Sequence, residues 1–531
     1  MNNKKLQVWF PVYFAVSMVI GMFLGYKLRD KMPWASGVLQ MSPAGQVQEV
    51  MDLVRNRYVD SVNTDSLREE AIDAVLGHLD PHSVFIPAKR LAGVNEDLAG
   101  RFEGIGVEFN IFEDTVHILN VLRGGPSDKA GLQAGDRIIQ VEQTPVAGNG
   151  VTGDKIRGLL RGPRASKVEV TVLRDSKKLP FTIIRGFIPL YALDASYMLN
   201  AQTGYIRLNK FSETAYEEFM EALEKLKGKG MTKLIFDLRE NGGGILDEAV
   251  EMADEFLSGD KLIVYTEGVN HPRREYKCRR RGLFEEGQLV MLLNEGSASA
   301  SEVLAGALQE WDRATIIGRR SFGKGLVQEQ YNLSDGAALR LTVARYYTPL
   351  GRSIQKPYEN GISEYNDDIL DRYHRGELSS KDSSKTPNGK AYKTPNGKMV
   401  YGGGGITPDI FVAFDTTAVD SSISLLYRKN TIGRFVYTYY VRNKSGFDQY
   451  KDASDFATRF VVTDDMYRQL VTYAAKDSVN ISGLKKRDED FIRERLKSLS
   501  ARQIWRTEGF YEVTNVGDPV IKKAMETQAP K

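Results

Sequence analysis

The hydrophobic pattern of the chain opens with a stretch that has no period. From Val8 to Tyr26, 19 residues are apolar apart from Pro11, Ser17 and glycines. About 20 such residues cross a bilayer as a helix. Met22-Phe-Leu-Gly-Tyr26 offers no small-residue cleavage site, so an uncleaved membrane anchor is expected within residues 1–34. Lys4 and Lys5 precede the run, and Lys27, Arg29 and Lys31 follow it. That leaves only a weak inside-positive bias, and the short tail ahead of Lys4 favours export of the large domain. Beyond a linker at 35–45, Val47, Val50, Met51 and Val54 recur with helical period over Gln46–Asn56. Leu67, Ala71, Ala74 and Val75 do the same over Thr64–Leu79, with Thr64 or Asp65 as cap and Asp80-Pro-His-Ser83 as stop.

Between Gly104 and Arg185 the period changes to that of short strands. Gly104–Phe109, Val116–Leu122, Arg137–Val141 and Lys167–Arg174 read as β. Gly125 to Asp136 reads as a short helix and turn, and Val151–Leu160 as a helix. From Leu190 to Gln355 strand-like runs (Thr203–Leu208, Lys233–Leu238, Gln288–Leu293, Ala314–Gly318) alternate with amphipathic helices (Thr214–Leu226, Leu246–Leu257). Such alternation predicts a layered α/β core with a largely parallel sheet. Residues 357–404 are polar and repeat Lys-Thr-Pro-Asn-Gly-Lys at 385–390 and 393–398, which reads as a mobile insertion. Gly405 to Val412 resumes as strand. From 416 onward the pattern is helical, as a separate C-terminal domain or dimerisation arm.

Composition narrows the chemistry. At 42% hydrophobic the chain can build several cores, and a net charge of +3 gives no reason to expect nucleic acid. Arg279-Arg-Arg281 is too short to change that. Cys278 is the only cysteine, which excludes an intramolecular disulfide and a cysteine-based zinc site. The five histidines show no metal-ligand spacing. No metal or cofactor is expected.

Two segments carry candidate chemistry. Asn294-Glu-Gly-Ser-Ala-Ser-Ala-Ser-Glu302 puts serines at the mouth of a helix whose apolar stripe is Val303, Leu304, Ala307, Leu308 and Trp311. Ser299-x-x-Glu302 also fits a capping box, so a purely structural serine is the competing reading. Phe322-Gly-Lys-Gly-Leu-Val-Gln328 puts Lys324 between two glycines, and a neutral lysine can serve a serine as base. Gly318 to Lys324 matches the start of a phosphate-binding loop. However, Gly325 replaces the Mg²⁺-binding hydroxyl, and Leu326–Tyr331 reads as strand where a helix is required. Asp237-Leu-Arg-Glu-Asn-Gly-Gly-Gly244 is a strand–helix turn whose glycines admit close approach of a ligand to backbone N–H groups. It is either a plain turn or an oxyanion hole.

The β-rich segment resembles a PDZ domain, through Gly125 to Glu142 and through Gly104-Ile105-Gly106-Val107. That resemblance implies that the latter loop receives the terminal carboxylate of a peptide, which then adds a strand to the sheet. In order, Asp80–Ser83, the PDZ signature, Asp237–Gly244, Gly296–Glu302, Phe322–Gln328, Gly351–Gln355 and Gly405–Asp409 resemble the carboxyl-terminal processing, or tail-specific, proteases over about residues 45–412. The resemblance implies Ser299 as nucleophile, Lys324 as base and Gln328 as the residue that orients the lysine. It also implies Gly244 and Ala300 as oxyanion donors and Arg161 as a PDZ arginine coupled to the active site. Glu310 stands where some members carry aspartate. On a straight strand Gln328 would lie roughly 13 Å from Lys324, so the chain has to bend there.

The expected fold is α/β and multidomain: anchor (1–34), helical arm (35–100), PDZ β-domain (101–188), crotonase/ClpP-like protease core (189–356) with its return strand (405–415) after the insertion, and C-terminal helical domain (416–531). The implied function is a serine endopeptidase, outside the cytoplasm, acting on protein C-terminal tails. A catalytically dead tail-binding scaffold is the alternative. Beyond substrate tails and the membrane, the reading admits self-association through the terminal helices and an activator or adaptor protein.

Overall fold

A computed structural model describes residues 3–29, 45–380, 389–417 and 419–528. The chain divides into two compact units after His78. The first contains helices Asn3–Arg29, Gly45–Arg57 and Thr64–Gly77. The third is capped by Asn63, not by Thr64 or Asp65. Its side-chain oxygen accepts the Asp65 and Ser66 N–H groups, because only the residue outside the helix has the extended backbone that lets it reach back. The expected linker lies almost wholly outside the described residues. Among the described residues no helix is long and apolar enough to cross a membrane. The side chains of Val8, Phe10 and Leu24–Tyr26, part of the expected anchor, lie outside those described.

The second unit holds the sheets. Val107–Phe112, Thr115–Val121, Arg137–Val141, Lys167–Arg174 and Lys177–Ile184 form an antiparallel sheet around Val116, Ile118, Ile138, Val168 and Ile183. Its first strand begins at Val107, not at Gly104. Gly104 ends a separate strand, Arg101–Gly104, that pairs with Gly186–Pro189. Val107–Phe112 has one neighbour, so its outer edge is unpaired.

The α/β core runs Leu193–Met198, Thr203–Leu208, Lys233–Asp237, Gln288–Leu293, Thr315–Gly318, Ile410–Phe411, parallel throughout after the first pair. Strand residues such as Phe236 and Met291 point to one face, against helices Ala215–Gly228, Leu246–Asp254 and Ala300–Glu310. Alternate residues Tyr205, Ile235 and Leu292 point to the other. A second, antiparallel sheet stands beside it. In it Ala338–Tyr347 pairs with Val84–Ile86, Leu262–Gly268 and Leu326–Asn332.

Two expectations change. The polar stretch 357–404 is not a loose insertion. It contains helix Ile362–His374 and a hairpin, Ala391–Lys393 with Met399–Tyr401; residues 381–388 lie outside the described ones. Its polarity is turned inward: buried Arg372 donates to the carbonyls of Ser321 (3.1 Å) and Arg320 (2.7 Å) and pairs with Glu377 (3.0 Å). Nor is the C-terminal region a detached arm. Val520, Ile521 and Ala524 cover the second face of the core sheet, and Arg239 pairs with Asp518 at 2.7 Å. That face is apolar and has to be buried by something, which hydropathy alone does not identify.

Candidate active site

Strand Gln288–Leu293 turns sharply into helix Ala300–Glu310, and three serines lie in that turn. Buried Ser297 accepts the Asn294 N–H (3.0 Å) and donates to the Leu238 carbonyl (2.8 Å). Buried Ser301 donates to the Asn241 carbonyl at 2.9 Å. Both hydroxyls therefore stitch the turn to the glycine loop. Ser299, half-buried, sits at φ +57°, ψ −117°, a conformation costly for a residue with a Cβ and tolerated where surroundings enforce it. Only the glutamate half of the capping box forms, and the Ser299 hydroxyl caps nothing. Glu302 accepts the Ser299 N–H at 2.9 Å, and the Glu302 N–H goes to the Ser299 carbonyl at 2.8 Å.

The glycine loop fits against this turn with no room to spare. A Cβ on Gly243 would lie 2.7 Å from the Ser299 Cβ, and one on Gly244 2.2 Å from the Phe211 carbonyl. Ala300 is the first residue of the helix, where an N–H has no intrahelical partner. Among the described residues neither it nor Gly244 N–H makes a hydrogen bond.

Lys324 is delivered by a loop that several distant segments hold. Lys356 N–H donates to Gly323 O (2.9 Å), Gly325 N–H to Gln355 Oε1 (2.7 Å) and Ser321 N–H to Ile406 O (3.0 Å). The motifs at Gly351–Gln355 and Gly405–Asp409 thus scaffold the lysine. Fully buried Glu302 ties this loop to the serine turn, accepting the Gly323 (2.7 Å) and Lys324 (2.9 Å) N–H groups and the Ser321 hydroxyl. The Tyr346 hydroxyl lies 2.6 Å from the Lys324 carbonyl and 3.2 Å from that of Ser299, a shared donor between them.

Gly244, Ser299, Ala300, Lys324 and Gln328 line one cavity of about 570 Å³. Burial pushes the Lys324 amine down to about 8, helped by the Arg340 guanidinium and opposed by Glu302 and Asp80. That brings a free amine within range near neutral pH. The bend demanded for Gln328 is present. The strand starts only at Leu326, and its register slips between Val327 and Gln328, a bulge that re-aims the side chain. Gln328 Nε2 meets Thr342 Oγ1 at 3.4 Å.

Two of the named residues lie elsewhere. Glu310 is at the far end of the serine helix, buried in an ion pair with Arg352 (2.7 Å) and accepting from Thr348 and Leu350. Arg161 pairs with Glu96 (2.6 Å) and stacks over Phe102, and it does not line the Ser299 cavity. In the PDZ loop, Ile105 and Gly106 carbonyls accept from Ser127 and Leu122. Gly106 and Val107 line a second cavity of about 440 Å³ with Leu122 and Ile188. Tyr346, Arg340 and Thr342 escaped the sequence reading because a strand residue gives no local sign of which cavity it faces. Asp80-Pro-His-Ser83 was visible as a motif but read as a helix stop. His82 in fact lies close enough to Lys324 that burial, then that charge, push its imidazole down to about 4.

The Peptidase family S41 model matches residues 202–364, the PDZ domain model residues 104–184, and a family of unknown function residues 423–506. A carboxy-terminal-processing protease of Bartonella bacilliformis is 32% identical over 360 residues, covering 65% of this chain and 82% of that one. One of Synechocystis sp. is 35% identical over 315 residues, covering 57% and 72%. The chain belongs to the carboxyl-terminal-processing protease family. It is a serine-type peptidase with a PDZ domain, a mixed α/β protease domain and a helical C-terminal region. Among solved structures similar to this family member is a photosystem II D1 C-terminal processing protease: 27% identity, 72% of this chain and 89% of that one, TM-score 0.35.

Proposed function

We propose that this peptidase cleaves protein C-terminal regions by a serine–lysine mechanism. The observation that carries it is the meeting of Ser299, Lys324, Gly244 and Ala300 in one cavity. With its amine near 8, roughly a tenth of Lys324 is neutral at pH 7. That form takes the Ser299 proton as Oγ bonds to the scissile carbonyl carbon. Gly244 and Ala300 N–H groups hold the oxyanion. The C–N bond then breaks, and the leaving amine takes the proton from Lys324. Water, deprotonated by the same lysine, attacks the acyl-enzyme and frees Ser299. Gln328 orients the lysine. The PDZ loop Gly104–Val107 receives the terminal carboxylate of the tail, whose strand pairs with the open edge of Val107–Phe112. The apolar run Val8–Tyr26 supports the further reading that the enzyme is held at a membrane with its catalytic unit outside the cytoplasm.

Ser299→Ala and Lys324→Ala are expected to abolish cleavage of a tailed substrate while leaving its binding to the PDZ domain. Cleavage that survives in either folded variant refutes the assignment. Retention of the full chain in the membrane fraction after carbonate washing tests the location.

A further inference from the structure

We propose that Asp80 and Thr342 are positioning residues that determine which end of the Gln328 carboxamide meets Lys324. The proposal rests on the serine–lysine reading above and assigns a task to the Asp80–Ser83 segment.

Asp80 is buried, and both of its oxygens are occupied. Oδ1 accepts the His82 N–H (2.8 Å), the Ser83 N–H (2.9 Å) and the Thr342 hydroxyl (2.9 Å). Oδ2 accepts the Ser83 hydroxyl at 2.6 Å. Pairing of Val84 with Arg340 brings the segment onto strand Ala338–Tyr347, and Ser83 Oγ accepts the Thr342 N–H at 3.1 Å. The arrangement is thus anchored at two atoms of Thr342.

The direction of the chain of bonds follows from the inventory of hydrogens. A carboxylate has none to give, so the Thr342 hydroxyl points its single hydrogen at Asp80. Thr342 Oγ1 then has only lone pairs left for Gln328. The atom it meets at 3.4 Å is therefore the NH₂ end of the amide. An amide flip is ordinarily undetermined, but here the network decides it. The carbonyl end of Gln328 is left without a partner among the described residues, and Gln328 and Lys324 line the same cavity. As an acceptor it can hold an N–H of the lysine and turn the amine lone pair toward Ser299. A reversed amide would present a donor to that amine and compete for the lone pair the reaction needs. The charged and titratable groups around Lys324 are Arg340 on the same strand as Thr342, Glu302 on the serine helix, and Asp80 and His82 on this segment. His82 is bonded to the Tyr365 hydroxyl (2.8 Å).

The test is kcat and KM against pH for Thr342→Ser, Thr342→Val, Thr342→Ala and Asp80→Asn, on a peptide with a free C-terminus, with circular-dichroism melts for each. Thr342→Val removes the hydroxyl and is expected to lower kcat about ten- to hundredfold with KM little changed, as misorientation does. Thr342→Ser restores the rate. Thr342→Ala repeats the loss if valine does not fold. Asp80→Asn keeps an acceptor for Thr342 but removes a charge that raises the lysine, so the alkaline-rising limb moves to lower pH. A folded Thr342→Val or Thr342→Ala enzyme at the wild-type rate, a Thr342→Ser enzyme as slow as either, or an unmoved limb in Asp80→Asn overturns the proposal. Ser299→Ala separates the layers. If it still cleaves, the serine–lysine reading fails. If it is dead while the Thr342 variants run at full rate, only the relay fails.

Discussion

The two ends of helix Ala300–Glu310 each bury a glutamate, and they do so in opposite ways. Glu310 meets a guanidinium, Arg352, with both side chains almost wholly removed from solvent. Glu302 meets only neutral donors: three backbone N–H groups and one hydroxyl. Burial pushes the Glu302 carboxyl up, and those hydrogen bonds pull part of it back. The difference follows from what lies nearby. A strong cation at the Glu302 end would compete for the position of Lys324. A bare carboxylate there would hold that lysine charged. Neutral donors fix the geometry of both catalytic loops while keeping the amine depressed. At the Glu310 end an ion pair and two hydrogen bonds lock the helix to the segment 348–352.

The comparison can be broken at either end. The largest effect is expected from Glu302→Gln. Whichever way the amide turns, its NH₂ end faces a backbone N–H, of Gly323 on one side or of Ser299 and Lys324 on the other, so at least one tie between the loops fails and kcat should drop about a hundredfold. An unaffected kcat would show that Glu302 does not hold the two loops together. Next is Glu310→Gln, which strands buried Arg352. A stability loss of about 3–5 kcal/mol is expected in denaturant titration, with kcat per folded molecule unchanged. A loss of kcat without a loss of stability would reverse the roles.

A smaller effect sharpens the electrostatic half of the argument. With neutral Lys324 as base, as proposed above, kcat/KM should rise with pH through about 8 and level off above it. Glu302 raises that value, so Glu302→Gln should shift the limb to lower pH, and Glu310→Gln should leave it in place. A last effect is in stability at acid pH. His82 is held neutral to about 4 in the folded protein against 6.5 when unfolded. As pH falls below 6.5 the unfolded chain takes up the proton first, so stability should decline until about 4 and then stop declining on this account. Melts of His82→Asn should lack that component.

Ser299 was legible because its context is local: a strand, a turn and a capping-box helix within a dozen positions. Lys324 was legible through its flanking glycines, one of which takes φ +91°. Four strands of the PDZ domain and the central parallel strands of the core followed from period, to within a few residues, while Lys177–Ile184, Leu193–Met198 and Ala338–Tyr347 did not. What misled was composition read without partners. The polar stretch 357–404 looked unstructured, yet its Arg372 is buried against backbone carbonyls, and its Tyr365 carbonyl and Asp368 hold the buried Lys356 that precedes it. The pattern 416–531 looked like an independent domain, yet its last helix supplies one wall of the protease core.

The sequence by itself marked many of the elements, the glycines of the site and the candidate serine–lysine pair, because these depend on neighbours within a few residues. Only the tertiary structure decided that Ser297 and Ser301 are mortar and Ser299 is free, that Glu302 and Tyr346 join the two loops, and that Asp80 reaches Gln328 through Thr342. Those outcomes depend on which hydrogen finds which lone pair across separations of tens to hundreds of residues. No periodicity along the chain encodes that.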